Sequence, residues 1–131
     1  MRVFLERRFK KWVEKEGIED ARLVETAMEA FAGQYEADLG GYLFKKRLAR
    51  EGEGKSGGYR TILCFRKADD DRIFFLYGFA KGVKENIDSL ESRALKKLAA
   101  GLLSVTDAQI DGLLDKGFLK KIGEVRDEAE E

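Results

Sequence analysis

An α+β domain is what the 131 residues predict, with a small central antiparallel β-sheet, two helices before it and further helices after it. Three observations carry that prediction. Apolar residues recur at helical spacing in two stretches before residue 33, three stretches between residues 42 and 80 read as strands, and two capping signatures open apolar helical faces beyond residue 88.

Met1 to Leu5 opens as a short strand, after which Phe9, Trp12 and Val13 fall at i, i+3 and i+4 and mark a short helix that Gly17 ends. From about Glu19 to Ala32, Leu23, Val24, Ala27, Met28 and Phe31 form a second helical stripe, with Gly33 as its C-terminal cap. The strands are Tyr42 to Ala49, Tyr59 to Lys67, and Arg72 to Ala80. The last holds the apolar run Ile73, Phe74, Phe75, Leu76, Tyr77, as expected of a central strand covered on both faces. Ala68, Asp69, Asp70 and Asp71 suit a hairpin turn, so the second and third strands should pair antiparallel. Asp88 with Glu91, and Thr106 with Gln109, are spaced as N-terminal caps. The first opens a helix bearing Leu90, Leu95, Leu98 and Leu102; the second opens a shorter one bearing Ile110, Leu113 and Leu114 and closed by Gly117. Phe118 to Ile122 is a last short strand.

Composition bounds the class. With 44% hydrophobic and 38% charged residues, the chain should fold as one domain over residues 1–122, followed by an acidic, disordered tail over 123–131 that holds five acids and one arginine. No apolar run approaches the length that spans a bilayer, and the first residues lack a signal-peptide core, so the expected location is the cytoplasm, with no membrane contact. The single cysteine, Cys64, sits in an apolar run and reads as buried filler.

The net charge of zero conceals a segregation. Residues 42–67 carry eight basic side chains against two acids. Strand alternation sorts them: Phe44, Lys46 and Leu48 share the core-facing side, where Lys46 must snorkel, while Lys45 and Arg47 are presented together on the outer side, with Arg60 beside them from the next strand. Lys46, Arg66 and Lys67 are bystanders.

Catalytic options are narrowed by what is missing. With no histidine and one cysteine, Ser-His-Asp chemistry, imidazole acid–base pairs and His or thiolate zinc sites are excluded. Gly54-Lys55-Ser56 invites a P-loop reading, but Ala49 stands where that motif needs its first glycine and a strand follows where it needs a helix. Asp69, Asp70 and Asp71 splay in different directions and read as a solvated turn, so no metal and no small-molecule cofactor is expected. A cluster of cations remains. It either neutralises phosphates as a binding patch, or promotes metal-independent phosphodiester cleavage by stabilising the charge that builds as a ribose 2′-hydroxyl attacks phosphorus.

The order of motifs resembles the RelE superfamily of bacterial toxins, its RelE- and HigB-like branches in particular. The resemblance runs from about residue 35 to 103 and rests on Lys45-Lys46-Arg47-Leu48-Ala49-Arg50, Gly54-Lys55-Ser56-Gly57-Gly58-Tyr59-Arg60, the strand ending Tyr77-Gly78-Phe79-Ala80-Lys81, and Asn86-Ile87. It implies an endoribonuclease that cuts mRNA in the ribosomal A site and is restrained by a co-encoded antitoxin of helix-turn-helix type. It also implies site residues: Lys45, Arg47, Arg60 and Lys81 as the catalytic set, with Lys45 or Lys81 transferring protons and the arginines holding phosphate. Arg50, Lys55 and Tyr59 would bind RNA. The chain departs from relatives that carry a C-terminal tyrosine for proton transfer, because none follows Tyr77, and Gly82-Val83 follows Lys81 where similar sequences read Asn-Glu. A ParE-like inhibitor of DNA gyrase and a non-catalytic RNA-binding domain are the competing functions.

Overall fold

The computed structural model describes residues 1–49, 58–67, 71–84 and 86–125. The chain opens as β1 (Arg2–Glu6), which buries Val3 and Leu5 toward one face and Phe4 toward the other, as strand alternation requires. Glu6 then accepts hydrogen bonds from the backbone N–H groups of Arg8 and Phe9, satisfying free donors at the start of α1 (Arg7–Glu16). Gly17 ends that helix at φ 70°, where a side chain would be strained. Next, α2 (Asp20–Phe31) buries Leu23, Ala27 and Ala30 in the same core as Phe9 and Val13 of α1.

A meander follows, of β2 (Ala37–Gly40), β3 (Leu43–Leu48), β4 (Tyr59–Cys64) and β5 (Arg72–Ala80), each antiparallel to the next. Two capping boxes, at Asp88 with Glu91 and at Thr106 with Gln109, start α3 (Ser89–Ser104) and α4 (Asp107–Asp115), and β6 (Leu119–Glu124) closes the fold. The strand order is β2-β3-β4-β5-β1-β6.

That order corrects the expectation of an antiparallel sheet. The sheet is mixed, because β1 lies parallel to β5 and antiparallel to β6. No local turn joins β1 to β5; burial joins them, with Phe4 stacked on Phe74 at 5.1 Å and Phe9 on Phe75 at 5.0 Å. Helices cover both faces. Phe44, Leu48, Leu63, Phe65 and Phe75 pack under α1 and α2, while Leu43, Ile62, Cys64, Phe74 and Leu76 pack under α3 and α4. Cys64 and the apolar run of β5 are buried as expected, with β5 in the middle of the sheet. A Cβ on Gly78 would stand 2.3 Å from the Trp12 ring, so a glycine there is what lets α1 lie against β5.

Two local features depart from the sequence pattern. The β2–β3 hairpin, which that pattern missed, turns on Gly41 and Tyr42, both with positive φ (60° and 66°), as a two-residue mirror-image turn demands. At the other end, Gly123 and Glu124 belong to β6 and not to the tail, and the Val125 N–H donates to the Met1 carbonyl at 2.7 Å. The rest of the expected tail, 126–131, and the turn residues 68–70 lie outside the described residues.

Candidate active site

In the antiparallel pairing of β3 with β4, Arg47 stands directly opposite Arg60. Like charges so placed repel and destabilise a sheet unless an anion stands beside them. Here the anion is Glu36, one residue before β2, whose N–H donates to the Lys45 carbonyl at 2.7 Å and fixes it alongside β3. Its carboxylate takes Arg60 Nε at 2.8 Å on one oxygen and lies 3.7 Å from Lys45 Nζ on the other. Arg60 Nη1 donates in addition to the Tyr59 carbonyl at 3.3 Å.

The cations are recessed to different depths. The Arg60 side chain is 4% exposed and that of Lys45 12%, whereas Arg47 is open to solvent. The expected outer face is therefore a recess, with Arg47 at its mouth and Arg60 at its floor. Among the described residues its cations, Lys45, Arg47 and Arg60, outnumber its one carboxylate, Glu36, which pairs with Lys45 and Arg60. Such a site suits a singly charged phosphodiester: the arginines offer planar forks to its oxygens and Lys45 a point charge, in surroundings drier than bulk water. Gln34, Tyr35, Glu36, Lys46 and Arg47 line an adjoining open cavity of about 380 Å³.

Comparison with known proteins supplies the family. The model of the family described as the RelE toxin of the RelE / RelB toxin–antitoxin system matches residues 1–122. The chain belongs to the RelE toxin family. A search of curated proteins returns no match. A RelE toxin is one partner of a toxin–antitoxin pair, so a cognate antitoxin is implied. Among the described residues, no helix of this toxin is long and apolar enough to cross a membrane.

Of the residues singled out from the toxin's sequence, Lys45, Arg47 and Arg60 come together. Lys81 sits one residue past β5, where its N–H donates to the Gly58 carbonyl at 3.2 Å, two residues before Arg60. Tyr59 does not join them. It is 3% exposed, lies in the core under α1 and α2, and meets the edge of the Trp12 ring at 5.1 Å, so it is no surface for a base to stack on. Strand alternation explains this, since the neighbour of Arg60 must face the other way. Arg50 and Lys55, and the Gly-Lys-Ser segment, lie outside the described residues. The bystanders have structural partners: Lys46 reaches Glu29 of α2 at 3.3 Å, Arg66 donates to the Leu103 carbonyl at 2.8 Å, and Lys67 donates to the Tyr35 hydroxyl at 2.7 Å.

Sequence reading missed Glu36. It precedes the first recognised strand of the basic region, and its place becomes legible only if Gly41-Tyr42 is read as a hairpin turn, which folds the Glu36 segment back along Lys45. A second set of charges lies at the far end of β5. Arg72 Nη2 pairs with Asp107 at 2.9 Å, Arg72 Nη1 donates to the Val105 carbonyl at 2.6 Å, and Arg2 bridges Asp71 and Asp107 at 2.9 and 3.0 Å. Nearer the site, Lys84 pairs with Glu91; its ammonium, with the Asp88 backbone N–H, holds the Glu91 carboxyl down to about 2.

Proposed function

We propose that this RelE-family toxin is a ribosome-dependent mRNA endonuclease of the cytoplasm, which cleaves without metal by attack of the ribose 2′-hydroxyl on the adjacent phosphorus. The observation that carries the reading is Arg47 facing Arg60 with Lys45 beside them: an excess of cations held in a recess, in a chain without histidine. Arg47 at the mouth meets the incoming phosphate, and Arg60 and Lys45 supply positive charge behind it where screening by water is weak. In this reading Arg50 and Lys55 bind RNA, and Lys81 serves a reacting oxygen.

The partner that restrains the toxin is a cognate antitoxin of helix-turn-helix type. Primer extension on mRNA from cells expressing the toxin should reveal new codon-phased 5′ ends. Those ends should vanish with Arg60→Ala and should be suppressed when the antitoxin is co-expressed. Arrested growth with intact mRNA would sink the proposal.

A further inference from the structure

We propose that the groove between α1 and α3 holds the mRNA strand beside the cut, with bases against its aromatic walls and phosphates on its basic rim; the proposal rests on the ribonuclease reading above. The groove exists because β1 stops early. It pairs with β5 only from Arg72 to Phe75, and at Arg7 the chain leaves the sheet as α1. Among the described residues, 76–80 of β5 therefore have no strand on that side. Since α1 and α3 cover opposite faces of the sheet, the space between them along this edge is left as a cavity of about 730 Å³.

Its lining combines rings with cations. Trp12, Tyr77 and Phe118 line it, and Phe118 is 46% exposed, unusual for a phenylalanine that serves only the core. Arg7, Arg8 and Lys11 of α1 stand along the rim, all exposed, and among the described residues none has a carboxylate partner. Glu6, the acid in the lining, already accepts from the N–H groups of Arg8 and Phe9. Rings that take any base by its face, set beside cations that take phosphates, suit single-stranded RNA. An apolar peptide would fill the same walls but has no use for three unpaired cations.

Continuity with the recess decides which RNA. Arg60 on β4 stands opposite Phe79 on β5, so the two side chains point to the same face, and the Phe79 ring lies 5.8 Å from that of Tyr77, which lines the groove. A single strand, β5, thus separates the floor of the recess from the groove, a step of about 5 Å between neighbouring strands. A message with its phosphate at Arg47 and Arg60 has its adjoining nucleotides within reach of the aromatic walls.

Trp12 is the sole tryptophan of the chain, so its fluorescence reports on the groove. An oligoribonucleotide with 2′-deoxyribose at the cut position, which binds without reacting, should quench that emission, and its affinity should fall steeply with salt. Replacing Arg8→Gln and Lys11→Gln together should flatten the slope of log affinity on log salt by about 1.4, roughly 0.7 for each lost phosphate contact. Phe118→Ala should weaken binding by about 5–150-fold, the scale of one stacked base. On programmed ribosomes these variants should need more toxin for half-maximal single-turnover cleavage, and 4-thiouridine placed beside the cut in the mRNA should crosslink to α1. Three results would overturn the proposal: variants that bind and cut as wild type does, crosslinks to α1 from ribosomal RNA and none from mRNA, or Trp12 emission that responds to the antitoxin and not to RNA. A wild-type toxin that leaves ribosome-bound mRNA uncut, with Trp12 still quenched and α1 still crosslinked, would place the fault in the ribonuclease reading and not in the groove.

Discussion

A buried arginine stands at each end of β5, Arg72 on the strand itself and Arg60 beside it on β4, and their surroundings differ in charge. Arg72, 8% exposed at the start of the strand, has its charge answered: among the described residues it and Arg2 face Asp71 and Asp107, two cations against two carboxylates, and it donates to the Leu102 and Val105 carbonyls at the end of α3. Arg60, 3% exposed and opposite Phe79 near the other end, has Arg47 as its cross-strand neighbour and shares the Glu36 carboxylate with Lys45. Burial of an arginine therefore does not by itself tell a structural arginine from one in the proposed site. Charge balance among the described residues differs between them: the Arg72 cluster ties elements of the fold together, and the Arg60 cluster has more cations than carboxylates, as the proposed phosphate site requires.

The contrast is broken most forcefully by exchanging one loss for the other. Arg60→Ala should lower cleavage by about 10²–10³-fold, the scale of removing one group that stabilises transition-state charge. Arg60→Lys should not restore it, because lysine lacks the fork that reaches Glu36 and a phosphate together. Arg72→Ala should instead leave cleavage per folded molecule near wild type and lower stability by about 1–3 kcal/mol, since it strips the Val105 carbonyl of its donor at the end of α3. Urea titration alongside a single-turnover assay reads both variants. If Arg72→Ala abolished cleavage in a molecule that is still folded, the division between the two ends would be wrong.

A smaller effect distinguishes the ends by pH. Hydrogen bonds from Arg72, and then from Arg2, hold the Asp107 carboxyl below the usual carboxylate range. A depressed folded-state pKa contributes stability that is complete above the unfolded value, near 3.8 for this carboxyl, and is lost as pH falls through the folded one. Asp107→Asn should thus be less stable than wild type at neutral pH, and the two should converge as acid protonates the wild-type carboxyl. Glu91, lowered to about 2, predicts the same convergence for Glu91→Gln across the window from about 4.5 down to about 2. Neither variant should change cleavage at neutral pH, and parallel acid-unfolding curves for variant and wild type would contradict the linkage.

How much of the molecule was legible beforehand depends on the range of the interactions. The helices, three of the meander strands and both capping boxes depend on residues within a few positions of one another, and spacing alone locates them. The parallel seat of β1 beside β5 depends on a contact some seventy positions away that only burial of Phe4 and Phe74 determines. Alternation brought Lys45, Arg47 and Arg60 to one face, but it reports direction and not depth, so it could not foresee that Arg60 is sunk. Glu36 escaped because β2 is four residues long, two of them Asp38 and Gly40, which strands disfavour.

The smallest effect tests the alternation argument itself. Lys46 lies between Lys45 and Arg47 in sequence, yet it faces α2, with its ammonium 3.3 Å from Glu29 and its neighbours Phe44 and Leu48 in the core beneath that helix. Its partner is 43% exposed, so the pair is worth about 0–1 kcal/mol, and Lys46→Met keeps the apolar stem while removing only the charge. That variant should melt within about 1 kcal/mol of wild type and cut RNA at the same rate, whereas Arg47→Met, one residue along on the opposite face, should weaken RNA binding and flatten its dependence on salt. Equal losses from both would mean that total positive charge, and not the face on which it stands, determines activity, and the special status of the Arg47–Arg60 pair would fall with it.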